Sequence, residues 1–134
     1  MNYNIYVEKF NENNNFMKHN GMRIVKLKKG YAEVEMDITE NTLNIQGSLH
    51  GGAIFTLADV AAGAASKSHG FVSVTLNGNI NFIKKVTKGR VKAIATKLHM
   101  GSSTGVYRVE VIDDSDCVIS NCTFTMFLTG DVIK

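Results

Sequence analysis

Residues 53–70, AIFTLADVAAGAASKSHG, constrain the fold of this chain more than any other stretch. The segment is rich in Ala and Leu, has no proline, and is apolar nearly all round. Alanine is the strongest helix former, so the composition predicts a helix of roughly 15 residues. A helix with no wide polar face is buried. The rest of the chain therefore has to wrap it.

The wrapping is strand-like. Met22–Lys28 reads as a strand and Lys29-Gly30 as a hairpin turn. In the next strand Ala32, Val34, Met36 and Ile38 alternate with Tyr31, Glu33, Glu35 and Asp37, the pattern of an antiparallel strand with one wet face. After the helix come four more runs, Phe71–Ile83, Arg90–His99, Gly105–Ile112 and Val118–Leu128. Strict alternation in the first puts Val72, Val74, Leu76, Ile80 and Phe82 on one face. Ser73, Thr75, Asn77, Asn79 and Asn81 fall on the other. Lys88-Gly89, Gly101-Ser102 and Asp113-Asp114 supply turns. One buried helix placed early among about six antiparallel strands is an α+β layout, the sheet curving around the helix. A single sheet leaves its second face uncovered, so an isologous dimer at least is expected. Before the first strand, Ile5, Tyr6, Phe10 and Met17 mark a weakly amphipathic helix over residues 3–18. The chain reads as one domain, residues 1–134, with residues 1–20 as an N-terminal helical segment.

Composition narrows the function classes. With 44% apolar and 20% charged residues the chain is neither disordered nor a membrane protein. Its longest apolar segment, Ala53–Ala65, is broken by Thr56, Asp59 and Gly63 and is too short to span a bilayer. The first fifteen residues contain no apolar signal core, which makes the cytoplasm the expected location. A net charge of +3, scattered rather than striped, is too mild to argue for nucleic acid. Cys117 and Cys122 read as two thiols on opposite faces of one strand, reduced and structural.

Chemistry gathers around Asn44-x-x-Gly47-x-x-His50-Gly51-Gly52-x-x-Phe55-x-Leu57-x-Asp59. Asp59 lies mid-helix between Leu57, Ala58, Val60, Ala61 and Ala62. An ionised carboxylate there is costly unless it is paired or at a wet seam. It serves either as an interface group bonding a loop or as a general base or nucleophile beside an apolar pocket. Gly51 and Gly52 open the helix, where the first N–H groups lack intrahelical partners. They either make a tight strand-to-helix turn or let a carbonyl oxygen approach the backbone as in an oxyanion hole. Asp59 follows Gly51 by eight residues, about 12 Å along a helix. One reacting carbon cannot meet both in the same chain, so if both act on one substrate, Asp59 comes from a second subunit. His50 and Asn44 flank the helix start and suit a structural or orienting role. His19, His50, His69 and His99 follow no metal-ligand spacing. No G-x-S-x-G elbow is present, and Gly101-Ser-Ser-Thr-Gly105 lacks the Lys and following helix of a phosphate loop.

The long motif closely resembles that of the PaaI-like hotdog thioesterases, the phenylacetyl-CoA type. The resemblance continues at Asn79-Ile80-Asn81-Phe82 and at His99-x-Gly101-x-x-Thr104-Gly105-Val106-Tyr107, together covering roughly residues 40–128. It implies a hotdog fold and hydrolysis of acyl-CoA thioesters, with aryl or short-to-medium acyl groups and no cofactor or metal. By that resemblance Asp59 acts on the thioester carbon and Gly51 offers its N–H to the carbonyl oxygen. Asn44 and His50 hold the carbonyl side, and Thr75 helps to place the water. Gly52, Lys84, Lys85, His99, Gly101 and Thr104 are the expected contacts for substrate and CoA. The implied assembly is a homodimer at least, and a homotetramer built as a dimer of dimers. Neither nucleic acid nor membrane is an expected partner. Two features depart from the family: Lys84-Lys85 follow the aromatic strand where the family often has a basic residue and Pro, and Gly78 suggests a bulge or a close backbone approach. The alternatives are a non-catalytic acyl-CoA sensor and a hotdog hydratase or dehydratase, although the usual His–acid pair of the latter is not evident.

Overall fold

A computed structural model describes all of residues 1–134. Two short helices, α1 (Tyr3–Asn13) and α2 (Asn15–His19), precede the hairpin of β1 (Met22–Lys28) and β2 (Tyr31–Asp37). A loop leads to the long helix α3 (Gly51–Lys67), and then come β3 (Phe71–Phe82), β4 (Arg90–Met100), β5 (Thr104–Ile112) and β6 (Val118–Val132). The six strands form one antiparallel sheet in the order β1-β2-β4-β5-β6-β3. This is the α+β hotdog arrangement, with the sheet curled around α3.

The core is the contact between α3 and the concave face of the sheet. Leu57, Ala58, Ala61, Ala62 and Ala65 of the helix are fully buried against Ala32, Val34 and Met36 of β2 and Val91, Ala93 and Ala95 of β4. Small side chains on both surfaces bring backbone close to backbone, which suits a helix held inside a curved sheet. The C-terminal end of α3 is pinned by Ser68, whose Oγ donates to the Ala65 carbonyl and accepts the Gly30 N–H of the β1–β2 turn at 2.7 Å.

β3 departs from the strict alternation expected of it. Its ladder with β6 shifts register between Phe71 and Ser73 and again between Thr75 and Asn77. Ser73 is consequently buried, while Val74 and Leu76 are 52% and 64% exposed. Beyond the second bulge the even positions turn inward, and Ile80 packs on the core. An irregularity of one residue exchanges the two faces of a strand. Gly78 sits where the inward face resumes: a Cβ there would stand 2.6 Å from the Phe124 ring and 3.1 Å from that of Phe55. Both a bulge and a close approach therefore occur around it.

Two further expectations are corrected. The N-terminal segment is not one helix: Asn14 leaves the helical region and its Oδ1 accepts the Met17 N–H, which starts a second helix. Met17 is then fully buried and Ile5 is 59% exposed. Cys117 lies in the loop before β6 rather than in the strand, exposed, whereas Cys122 is buried within it. Both thiols are free.

Candidate active site

Asp59 opens onto a cleft of about 480 Å³ between α3, the start of β3 and the α1–α2 junction. Its carboxylate is held by β3. Thr75 Oγ1 donates to Asp59 Oδ1 at 2.5 Å. That contact exists because the bulges of β3 keep Thr75 on the helix side of the strand; its hydroxyl also lies 3.6 Å from Met126 Sδ. With Oδ1 engaged, Oδ2 is the oxygen left for a water or a substrate.

The other expected residues lie at the N-terminus of α3, about two turns before Asp59. His50 is the N-cap, and its Nδ1 accepts the Gly52 N–H at 2.8 Å. The ring proton of the neutral imidazole is thereby placed on Nε2. The capping bond also separates the two glycines. Gly52 N–H is occupied, while Gly51 N–H makes no hydrogen bond within the chain. A Cβ on Gly51 would stand 3.3 Å from the Phe82 ring, so the absent side chain leaves a narrow gap beside that free donor. Asn44 shapes the preceding loop: its Oδ1 accepts the N–H groups of Gln46 and Ser48, both at 3.0 Å. Ile45, at the tip of that loop, is 96% exposed.

Of the expected catalytic set, one chain therefore joins Asp59 with Thr75, and separately groups Gly51 with His50 and Asn44. None of the latter three lines the Asp59 cleft. The residues expected along CoA are dispersed. Lys84 is drawn to Asp113 at 3.4 Å, and Lys85 is exposed without a partner. His99, Gly101 and Thr104 form the β4–β5 turn, where Gly101 N–H donates to the Thr104 carbonyl. No three His, Cys, Asp or Glu side chains converge as metal ligands would. Sequence reasoning missed Lys67, Ser73 and the Asn13–Asn15 run, all of which line the cleft. The helix spacing Asp59-x-x-x-Gly63-x-x-x-Lys67 was the available signal for Lys67, since residues four apart share a helix face. Ser73 gave no signal, because its burial depends on the bulges.

The thioesterase superfamily model matches residues 46–119. The chain is 34% identical over 110 residues to acyl-coenzyme A thioesterase PaaI of Escherichia coli, which covers 81% of this chain and 79% of that relative. The solved structure of the E. coli PaaI protein from the phenylacetic acid degradation operon superposes with a TM-score of 0.90 at 30% identity, covering 95% of this chain and 93% of that one. The structure of smu.793 from Streptococcus mutans UA159 bound to acetyl CoA superposes with a TM-score of 0.80 at 35% identity, covering 84% and 91%. Fold, helix-start motif and these likenesses agree: the chain belongs to the thioesterase superfamily, as a PaaI-like hotdog thioesterase.

Proposed function

We propose that the protein hydrolyses the thioester bond of aryl- or short-to-medium-chain acyl-CoA, releasing the free acid and CoA, in a homodimer whose sites are each shared by two subunits. The observation that carries this reading is the division of α3. Its middle holds a carboxylate with a free oxygen in a cleft; its N-terminus, about 12 Å away, holds a backbone N–H with no partner. Two antiparallel copies of such a helix can set the N-terminus of each against the middle of the other, and each such pairing makes one complete site.

In that site the Gly51 N–H of one subunit receives the thioester carbonyl oxygen and stabilises the negative charge that develops on it. Asp59 of the other subunit either takes a proton from water as the water attacks the carbonyl carbon, or attacks that carbon itself. In the first case the C–S bond breaks, CoA leaves as a thiolate that regains a proton, and the acid is released directly. In the second, the C–S bond breaks as an acyl–aspartyl anhydride forms and CoA leaves as the thiolate; water then opens the anhydride and the acid is released. Thr75 holds the carboxylate in both. His50 and Asn44 hold the helix start that presents Gly51. Gly52, Lys85, His99, Gly101 and Thr104 remain the proposed surface for CoA, with Lys84 available on release from Asp113. The bound acetyl CoA of the S. mutans neighbour supports a CoA ligand. Homotetramer formation and a cytoplasmic location belong to the same proposal; the free thiols suit a reducing compartment.

Thiol release from a panel of aryl- and acyl-CoAs tests the reading. Wild type should turn over at least one member, and Asp59→Ala should lower kcat by about 10²- to 10⁴-fold with the oligomer unchanged on gel filtration. Saturable binding without turnover would replace the hydrolase with a ligand sensor. Label found in Asp59 after a single turnover in ¹⁸O-water would establish nucleophilic attack, because an anhydride opened at the aspartyl carbon leaves ¹⁸O there and the general-base route never does.

A further inference from the structure

The cleft beside Asp59 holds a cation that forms no ion pair within the chain. Asp59, Gly63 and Lys67 follow one another at helix spacing along the same face of α3. Gly63 contributes no side chain, and Lys67 leans back over it, its Nζ 3.6 Å from where a Gly63 Cβ would be. The ammonium therefore comes level with residue 63, roughly 6 Å along the helix from Asp59. It makes no ion pair and no hydrogen bond, although the chain offers twelve acidic side chains. Asp59, the one carboxylate in the cleft, is turned to Thr75. The only other ionisable lining residue, Lys9, is also a cation and is bonded to the Lys134 carbonyl.

A second polar group points the same way. Ser73 is 3% exposed, lines the cleft, and its Oγ has no hydrogen-bond partner. Asn13, Asn14 and Asn15 close the side facing the α1–α2 junction. A cleft meant for a plain alkyl or aryl tail would be walled by apolar groups throughout, since leaving a buried donor unmet is costly. Here the wall includes an ammonium without an ion partner and a buried hydroxyl without a hydrogen bond. Burial pushes the Lys67 pKa below its ordinary value, while the charge of Asp59 pulls it back up. An incoming anion would act in the same direction as Asp59.

We propose that the acyl group selected by this cleft carries a second carboxylate, bound by Lys67 and Ser73, so that the preferred substrate is the CoA monothioester of a short dicarboxylic acid. The proposal rests on the thioesterase reading above. Successive C–C bonds of about 1.5 Å advance an extended chain by roughly 1.3 Å each. A span of roughly 6 Å, from a reacting carbon level with Asp59 to a carboxylate level with the ammonium, takes about four such bonds, an acid of about five carbons. Lys67 is in this sense a specificity residue rather than a participant in bond cleavage.

Glutaryl-CoA and pentanoyl-CoA differ at the far end by a carboxylate against a methyl group, and they make the test. Wild type should show kcat/KM for glutaryl-CoA at least about 10-fold above that for pentanoyl-CoA. Lys67→Met, which keeps length and tolerates burial, should reverse that order chiefly through KM, and Lys67→Arg should retain it. Equal loss on both substrates in Lys67→Met would show that Lys67 acts only through Asp59 and would overturn the proposal. A wild-type preference for pentanoyl- or phenylacetyl-CoA would overturn it too, while leaving hydrolysis intact. No turnover of any thioester would instead sink the hydrolase reading, and this inference with it.

Discussion

The sheet ends in two edges that the chain treats in opposite ways. β1 is seven residues long, and the outward backbone groups of Ile24 are both taken by Asn11 of α1. Asn11 Nδ2 donates to the Ile24 carbonyl at 3.0 Å, and Asn11 Oδ1 accepts the Ile24 N–H at 2.8 Å. A register shift follows between Ile24 and Lys26, and Lys26 and Lys28 stand exposed. Cover, bulge and charge are the usual devices that stop an edge from pairing. β3 is twelve residues long, and the side-chain bonds to its backbone come from its own neighbour β6, through Thr129 and Ser120. Val74, Leu76 and Phe82 are each more than half exposed along it.

The outer surface of the sheet repeats the contrast. Over β1, β2 and β4, Arg23, Arg90 and Lys92 interleave with Glu33, Glu35 and Asp37 in a mesh of ion pairs. Over β3 and β6 the cross-strand pair Val74–Phe127 faces outward instead. One side is finished for water, while the other leaves large apolar side chains exposed. The candidate catalytic carboxylate sits on the unfinished side, tied to β3 through Thr75. Association and activity are thereby expected to share one surface.

The largest effect should come from breaking the open edge. Val74→Lys with Leu76→Lys places two charges on the exposed β3 edge, where association is expected. It should weaken association by about 10²-fold or more, with turnover falling in step. Sedimentation across a concentration series checks this; a dimer that persists at wild-type affinity would move the interface elsewhere. A smaller effect is expected from opening the closed edge. Asn11→Ala removes two part-buried hydrogen bonds and should cost about 1–2 kcal/mol, seen as a melting point lower by roughly 3–8 °C. The outer ion-pair mesh should matter least. The hydrogen bond from Arg90, with the Arg23 charge behind it, holds the Asp37 carboxyl below its usual pKa. Its contribution is therefore present above the ordinary aspartate value of about 3.9 and fades as pH falls below it. Arg90→Ala should flatten the acid limb of a melting-point-against-pH curve slightly and leave kcat unchanged.

The sequence was most legible where one periodicity ran unbroken. In β2 every second residue goes inward, and Ala32, Val34 and Met36 are fully buried as their spacing requires. The all-round apolar character of α3 likewise predicts a wrapped helix. β3 was misread because two bulges interrupt its ladder, and alternation carries no record of an inserted residue. Thr75 nevertheless faces Asp59, since it lies between the two irregularities. The separation of Gly51, at the helix start, from Asp59, at its middle, followed from rise per residue alone. That His50 would occupy the Gly52 N–H and leave the Gly51 N–H free depended on a cap conformation that residue identity leaves open. Lys67 was overlooked because its single charge at the last turn of a helix looks like an ordinary favourable interaction with the helix dipole.

The strand order also sets a timetable. β4, β5 and β6 are joined by short turns and can pair as each one emerges, but β3 has only β6 as a neighbour. Side-chain bonds between these two strands bridge 40 residues at one end and 57 at the other. Closing so long a loop has to await the meander that supplies the partner strand. The strand that steadies Asp59 is thus expected to be the last to gain protection in a hydrogen-exchange pulse during refolding, after β4 and β5. A nascent chain would then carry the helix of Asp59 well before it could orient the carboxylate, and competence for chemistry would arrive together with the final strand.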